Sequence, residues 1–528
     1  MLSLVFLKLG LLSFIDASAL FENFDFTNVF YISNWSVFRL IFLVYFVFTF
    51  LLAVFNWVYF KAIIEYVSSD KNQLSIFSAK FILEIKHNKS LYITALFVFV
   101  IGLLIRAYQL DKPIRYDESF TYLEYGRSYI GYISMNYSYP NNHILHSIFV
   151  RISTIILGND LWVIRLPAFI GGIVVLIFTF FVGRKWFGLK AGILALSLVV
   201  CSELLIGYSV NARGYSLQVT LFLLVVFLAL GNQKTNGRWL LIVILNAFGF
   251  WLIPSYIFCL AVLFFLVVVK NGFQPRLLLF FILSILLSLL FYLPVLAYSG
   301  IDSLLNNAIT KSCDSLNFLQ CFYKNISAIY LKLTPGEGIM QLFIFLVFIA
   351  TSILKKTKWI SIGIIVLLSL MIVILGNNIP PRVFVFMIPI TALLFSGAFS
   401  GSLNQLKPKL FIPFILIPFV SWSIYKDKRF DYEIVLNDLP ELIGDLKSKN
   451  AVGVISKIPL DYPVRYYLSK NDNLESRWNT FGTDTVYVIT SEFYHQNINT
   501  TFGDKTKVYQ FSEIKKYNYS TLYLGVRR

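Results

Sequence analysis

The chain has 528 residues, of which 57% are hydrophobic and only 14% charged, with Phe, Trp and Tyr together at 17%. That profile excludes an ordinary water-soluble domain and leaves an integral membrane protein. The net charge of +17, from 45 Lys and Arg against 28 Asp and Glu, would point to nucleic acid in a soluble chain. Here the basic residues fall mostly in short loops between apolar runs, so orientation in a bilayer explains them; anionic lipid or a phosphorylated lipid substrate is the next partner to consider.

The first twenty residues, with Lys8 and an apolar stretch, faintly resemble a signal peptide, but the longer run from Leu40 to Phe60 follows without a persuasive small-residue cleavage site and reads as a retained helix. Further candidate spans lie near 91–108, 166–183, 191–207, 216–230, 238–253, 255–269, 277–297, 338–354, 358–375, 382–400 and 410–425. Several are nearer fifteen residues than the roughly twenty that an upright helix needs. Asn142 to Leu157 is apolar too but carries His143, His146 and Arg151. Lys61, Lys71, Lys80, Lys86 and Lys89 place the loop before 91–108 on the cytoplasmic side, and Arg184, Lys185, Lys190 and the later Lys and Arg clusters mark successive inside loops. Alternation satisfies every cluster only if 142–157 does not cross, and either lies along the outer interface or dips in and returns. The outer face then holds 111–165, Ser209 to Tyr215, 298–337, the segment ending at Arg382, and the C-terminal tail.

Cys201 and Cys259 sit in apolar runs and read as core residues, whereas Cys313 and Cys321 share a polar loop that allows a disulfide in an oxidising compartment. Beyond about Lys426 the long apolar runs stop, and "AVGVISKI", "DTVYVITS" and "STLYLGV" predict short strands of a small mixed domain. The expected architecture is an all-α polytopic membrane bundle over 1–425, of about 12 transmembrane helices plus interfacial helices in the outer loop, with a small α/β C-terminal domain over 426–528.

The outer face collects the residues suited to chemistry. Asp117 and Glu118 stand together in "RYDESFTY", Asn141, Asn142 and His143 follow, Arg213 lies in "YSVNARGYSL", and Arg382 in "PPRVFVFMIP". A carboxylate can accept a proton from an attacking hydroxyl or amine, and arginines can hold a phosphate or diphosphate leaving group. The plainer readings are a solvated turn for the acidic pair and headgroup anchors for the arginines. His143 and His146 lie three apart but lack a clear third ligand, so no metal is demanded; a divalent ion bridging a carboxylate and a phosphate is compatible with the residues. Glu203 is a carboxylate well inside an apolar run and has no assigned role.

"YDESFTYLEYG", the stretch from "NNHILHSIFVRISTIILGNDLW" to "VGRKWFG", and "YSVNARGYSLQ" resemble, in order and spacing, the GT-C superfamily of polytopic glycosyltransferases. More narrowly they look like the branch that holds dolichyl-phosphate-mannose protein mannosyltransferases and bacterial aminoarabinose lipid A transferases. The likeness runs from about 91 to 230, with an echo at "PPRVFVFMIPI". It implies an inverting sugar transfer from a polyprenyl-phosphate donor to an acceptor outside the cytoplasm. By position Asp117 would be the catalytic base and Glu118 would orient it or bind the acceptor. Arg213 and Tyr215 would hold the donor phosphate, with Arg382 assisting. Asn142 and His143 stand where many relatives have an HPPL-type sequence, a departure that puts a role for His143 in doubt, and Glu203 stands where relatives commonly have proline. The rival readings are a transporter or flippase of lipid-linked saccharides, and a polysaccharide polymerase or ligase. Compact loops and the absence of organelle signals lean towards a bacterial cell membrane, with sugar and acceptor unspecified.

Overall fold

The computed structural model of the chain describes residues 81–231, 236–305, 358–375, 380–425 and, with short breaks, 435–528. The apolar runs at 40–60 and 338–354, and the pair Cys313 and Cys321, lie outside the described residues. The first part is helical throughout. α1 (Lys89–Tyr108) leads into a short α2 (Tyr116–Thr121) that continues as a π turn, Tyr122–Gly126, and then α3 (Ile130–Met135) and α4 (Ile144–Leu157). α5 (Leu161–Phe187) and α6 (Leu189–Val200) form a hairpin, followed by α7 (Glu203–Ser209), α8 (Tyr215–Ala229) and α9 (Asn236–Leu252). α10 (Ile257–Asn271), α11 (Pro275–Phe291), α12 (Leu293–Tyr298) and α13 (Asp302–Leu305) complete that stretch. α14 (Lys358–Leu375), α15 (Met387–Ala398), α16 (Ser400–Gln405) and α17 (Pro408–Tyr425) follow.

Burial sorts these helices. Every residue of α6 from Lys190 to Val200 is buried, so this helix is the axis of the bundle. α1 instead exposes Ile93, Leu96, Phe97 and Leu104, and α11 exposes Leu279, Ile282, Leu286 and Leu289. Rows of exposed large apolar side chains on a folded protein are the surface that lipid tails solvate. Among the described residues three segments are long and apolar enough to cross a bilayer: Lys89–Tyr108, Leu161–Phe187 and Pro254–Asn271. The predicted span at 191–207 is broken: α6 and α7 meet at 69°, and counting the bent pair gives four. The bend falls at Cys201 and Ser202, immediately before Glu203, whose carboxylate stands in the first turn of α7, the favourable end of a helix for negative charge. α4, with 14 residues, is about 21 Å long and too short to cross a hydrocarbon core of about 30 Å upright.

The α5–α6 hairpin turns at Gly188, whose φ of +95° suits glycine alone, and its two helices touch through glycines. A Cβ on Gly183 would stand 2.8 Å from the Gly192 Cα, and one on Gly192 would stand 2.7 Å from the Arg184 nitrogen. Small residues at such a crossing let backbones approach closely, which is how helices associate where no water drives them together.

Residues 435–528 form a separate core. Four strands, β1 (Val454–Ile455), β2 (Thr485–Thr490), β3 (Tyr509–Lys516) and β4 (Thr521–Arg527), lie in the order β1-β2-β4-β3, with β1 parallel to β2 and the other pairs antiparallel. α18 (Leu439–Ser448), α19 (Asp461–Ser469) and α20 (Ile498–Thr506) accompany the sheet. Leu439, Leu442, Leu446, Val464, Leu468 and Ile489 share the apolar core that joins α18 and α19 to the sheet.

Because the Gly183–Gly192 crossing has no room for a side chain, Gly192→Val is expected to destabilise the bundle by about 1–3 kcal/mol. Gly401→Ala, where a Cβ meets nothing within 4 Å, should leave stability unchanged. Thermal unfolding of the two variants in one detergent measures the difference.

Candidate functional site

The acidic pair sits on α2, and helical geometry splits it. Adjacent residues project about 100° apart around the axis, so Asp117 and Glu118 cannot face the same surroundings. Glu118 turns inward and has no exposed surface. Its carboxylate accepts the Arg165 Nε at 2.9 Å and Nη2 at 2.6 Å, the Ala212 main-chain N–H at 2.7 Å and the Arg115 main-chain N–H at 3.1 Å. Arg165, on the first turn of α5, spends its remaining N–H groups on the Leu110, Lys112 and Pro113 carbonyls at 2.6–3.1 Å. All five guanidinium donors are therefore used. Burial opposes the charge on Glu118, but the Arg165 guanidinium, with Arg115 and the Ala212 N–H, outweighs it and holds the carboxyl below its ordinary value.

This network is what fixes the outer loop. Glu118 joins α2 to α5 and to the 210–214 segment, and Arg165 pins the chain entering α2. The Glu118 carboxylate is thereby fully engaged within the protein. Arg165 was not singled out in the sequence; the signal was an arginine one turn into an apolar helix, a position where a charge has to find a partner.

Asp117 faces outward, with 37% of its side chain exposed, and its Oδ2 stands 3.5 Å from the Arg382 Nη1. Arg382 arrives from far along the chain on a single 3-10 turn, Pro381–Phe384, that precedes α15. Burial works against its charge, but Tyr215, Asp117 and Tyr208 more than compensate, and its pKa is raised. Arg213 is 2% exposed. Its Nη1 lies 3.3 Å from the Thr121 Oγ1 and 3.5 Å from the Asn141 carbonyl, and its Nε has no partner among the described residues. Tyr208 and Tyr215 pack with ring centroids 4.6 Å apart beside these arginines. The Arg115 guanidinium donates to the Gly207 carbonyl at 3.4 Å. Asp117, Arg382, Arg213 and Tyr215, dispersed over 266 positions of sequence, thus belong to one locality, with more positive charge than Asp117 can neutralise.

Asn142 and His143 are buried and hydrogen-bonded to neighbouring backbone. Asn142 is fully buried, donates to the Ile133 and Asn136 carbonyls at 2.8 and 2.7 Å, and accepts the Ser147 hydroxyl. Both of its amide hydrogens are consumed in holding the 133–147 loop. The His143 Nδ1 accepts the Gly214 N–H at 2.8 Å, which puts the ring proton on Nε2. Burial, then the Arg213, His146 and Arg382 environment, pushes His143 well below the ordinary histidine value, so it stays neutral. His146 is buried with neither ring nitrogen partnered among the described residues and is pushed down to about 3 by burial and Arg213. Among the described residues no three His, Cys, Asp or Glu converge as a metal would require.

The C-terminal domain meets this loop directly. Arg465 of α19 pairs with Glu124 at 2.9 Å, the Tyr467 hydroxyl accepts the Ile114 N–H at 3.3 Å, and the Tyr462 ring lies 4.6 Å from Phe120 and 5.7 Å from Tyr116.

Residues 141–298 match a family model described as dolichyl-phosphate-mannose-protein mannosyltransferase; Arg213 and His143 lie inside that match, Asp117 and Arg382 outside it. Among solved structures, ArnT from Cupriavidus metallidurans in the apo state is similar with a TM-score of 0.51 and 10% identity, over 81% of this chain and 97% of that one. ArnT bound to undecaprenyl phosphate gives 0.47 and 11% over the same shares. The archaeal oligosaccharyltransferase AglB from Archaeoglobus fulgidus, in complex with an inhibitory peptide and a dolichol-phosphate, gives 0.42 and 12%, over 82% of this chain and 74% of that one. At these identities the likeness is one of fold, and the apo ArnT comparison carries it. The family match and the shared fold bear out the resemblance to the GT-C superfamily. Comparison with curated protein sequences gives no match.

Breaking the buried pair leaves one charge stranded, so Glu118→Gln or Arg165→Met should lower stability by about 3–5 kcal/mol. Because the folded-state pKa of Glu118 is depressed, its contribution is complete above the ordinary value of 4.5 and is lost as pH falls through the lower folded value. Melting temperature against pH should therefore drop more steeply below about pH 4.5 in the wild type than in Glu118→Gln.

Proposed function

We propose that this chain is a membrane glycosyltransferase that moves a sugar from a polyprenyl-phosphate donor to an extracytoplasmic acceptor with inversion at the anomeric carbon. The observation that carries the reading is the open carboxylate of Asp117 set against Arg382, beside Arg213 and Tyr215, in a chain of GT-C fold.

The steps follow from what each group can do. Asp117 accepts the proton of the acceptor hydroxyl as its oxygen attacks the anomeric carbon. The bond from that carbon to the phosphate oxygen breaks on the opposite face, and its electron pair leaves with the lipid phosphate. Arg213 and Arg382 meet the charge that develops there, with Tyr215 as a further hydrogen-bond donor. The donor phosphate competes with Asp117 for Arg382, so donor binding frees the carboxylate to act as base. Glu118 and Arg165 take no part in the chemistry; they hold α2 so that Asp117 points at the donor. His143, through Gly214, sets the backbone from which Arg213 projects. On this reading the protein is a multi-pass component of the bacterial cell membrane with this site on the outer side. The arginines supply the positive charge that a divalent ion would bring to the phosphate, so no metal is assigned.

The test is sugar transfer by purified protein from a panel of polyprenyl-phosphate monosaccharides. Asp117→Asn should lose about 10²–10⁴ in turnover, and Arg382→Met or Arg213→Met about 10²–10³. Labelled donor bound equally by wild type and Asp117→Asn, with none consumed by either, would favour carriage of the lipid over bond cleavage. Treatment with EDTA should leave turnover within about twofold; a loss restored by a divalent cation would add a metal to the donor phosphate.

A further inference from the structure

We infer that Asp461 and Tyr462 of the C-terminal domain, with Tyr116 and Tyr139 of the outer loop, form the acceptor side of the transfer site and take a neutral saccharide. The inference rests on the transfer reading above. It starts from an unsatisfied atom. The Asp461 Oδ1 is buried and has no hydrogen-bond partner among the described residues, which is unusual for a carboxylate oxygen and is resolved by a donor that arrives from outside. Burial raises the pKa of Asp461 and outweighs the main-chain N–H groups of Tyr462 and Asp461 that favour its charge.

Its surroundings say what kind of donor. Tyr116, the residue before Asp117, lies within electrostatic reach of both carboxylates; burial first, then Asp461 and Asp117, push its hydroxyl up to about 12. Tyr116 packs edge-on against Tyr462 at 5.7 Å, Tyr462 and Tyr139 cover Phe120 at 4.6 and 5.3 Å, and Tyr139 remains 58% exposed. Aromatic faces beside a carboxylate fit a sugar ring, whose C–H face packs on the rings while its hydroxyls donate to the carboxylate. Charge selects against an anionic acceptor, which would meet Asp117 and Asp461 together. Arg465, the cation of α19 nearest this wall, is committed to Glu124 and to the face of Trp478 at 4.9 Å. An arginine donor without a partner among the described residues, the Arg213 Nε, lies instead on the donor side.

The experiment uses the full chain in nanodiscs with methyl glycosides as acceptor probes, one of them carrying a photoreactive diazirine. Labelling of the wild type should fall on 461–467 and on Tyr116 or Tyr139. Asp461→Asn should raise the KM for the methyl glycoside on the order of tenfold, with kcat at saturation within about threefold. Label confined to other segments, an unchanged KM, or labelling displaced by a Ser- and Thr-containing peptide but not by unlabelled glycoside would each overturn the inference. The wild-type labelling decides the matter even if Asp461→Asn does not fold. A wild type that takes the label on α19 yet consumes no polyprenyl-phosphate sugar would sink the transfer reading and leave the saccharide site standing.

Discussion

Glu118 has no contact with solvent, and its charge is tolerable only because Arg165 and two main-chain N–H groups surround it. An isolated carboxylate in such a place would neutralise or expel itself, so the pair is held together by the cost of separating it. That constraint organises the outer end of the molecule. The guanidinium binds the Leu110, Lys112 and Pro113 carbonyls of the chain entering α2, and the carboxylate binds the backbone next to Arg213. A loop that would otherwise be free to wander is fixed at both ends and in the middle.

The exposed half of the acidic pair inherits this rigidity. Asp117 is one residue from a side chain that cannot move, on a helix of six residues whose end runs into a π turn, a distortion often kept where a site needs an unusual backbone path. Preorganisation of this kind is what electrostatic catalysis requires, because a base or a phosphate clamp that must reorganise during the reaction forfeits much of its effect. Arg382 reaches Asp117 from a different element, the 3-10 turn before α15, while Arg213 is tied to Thr121 and, through Gly214, to His143. The positive and negative sides of the site are thus mounted on separate parts of the bundle that meet only in the folded chain.

The C-terminal domain adds a wall to this arrangement through α19. Its aromatic face and the Arg465–Glu124 pair bury part of the outer loop, so the domain is joined to the loop by the same kinds of contact that hold the loop to the bundle.

Much of this was determined by the sequence alone. Apolar runs and basic loops require a membrane bundle because a bilayer leaves the backbone no other way to satisfy its hydrogen bonds, and the shift to short β-branched stretches after 426 announces a different kind of domain. The polar residues Asp117, Arg213 and Arg382 stood out because charge is scarce in such a chain. Only the tertiary structure decided which of two adjacent carboxylates is open and which is locked away, since that depends on the rotation of α2 against α5. It also decided that the run at 191–207 is two helices meeting at 69°, and that the Asn142 amide hydrogens are spent on neighbouring carbonyls. Arg165 carried only the signal of a charge in an apolar helix, and Asp461 none: each owes its character to what the fold brings near it, and no local pattern encodes such a meeting.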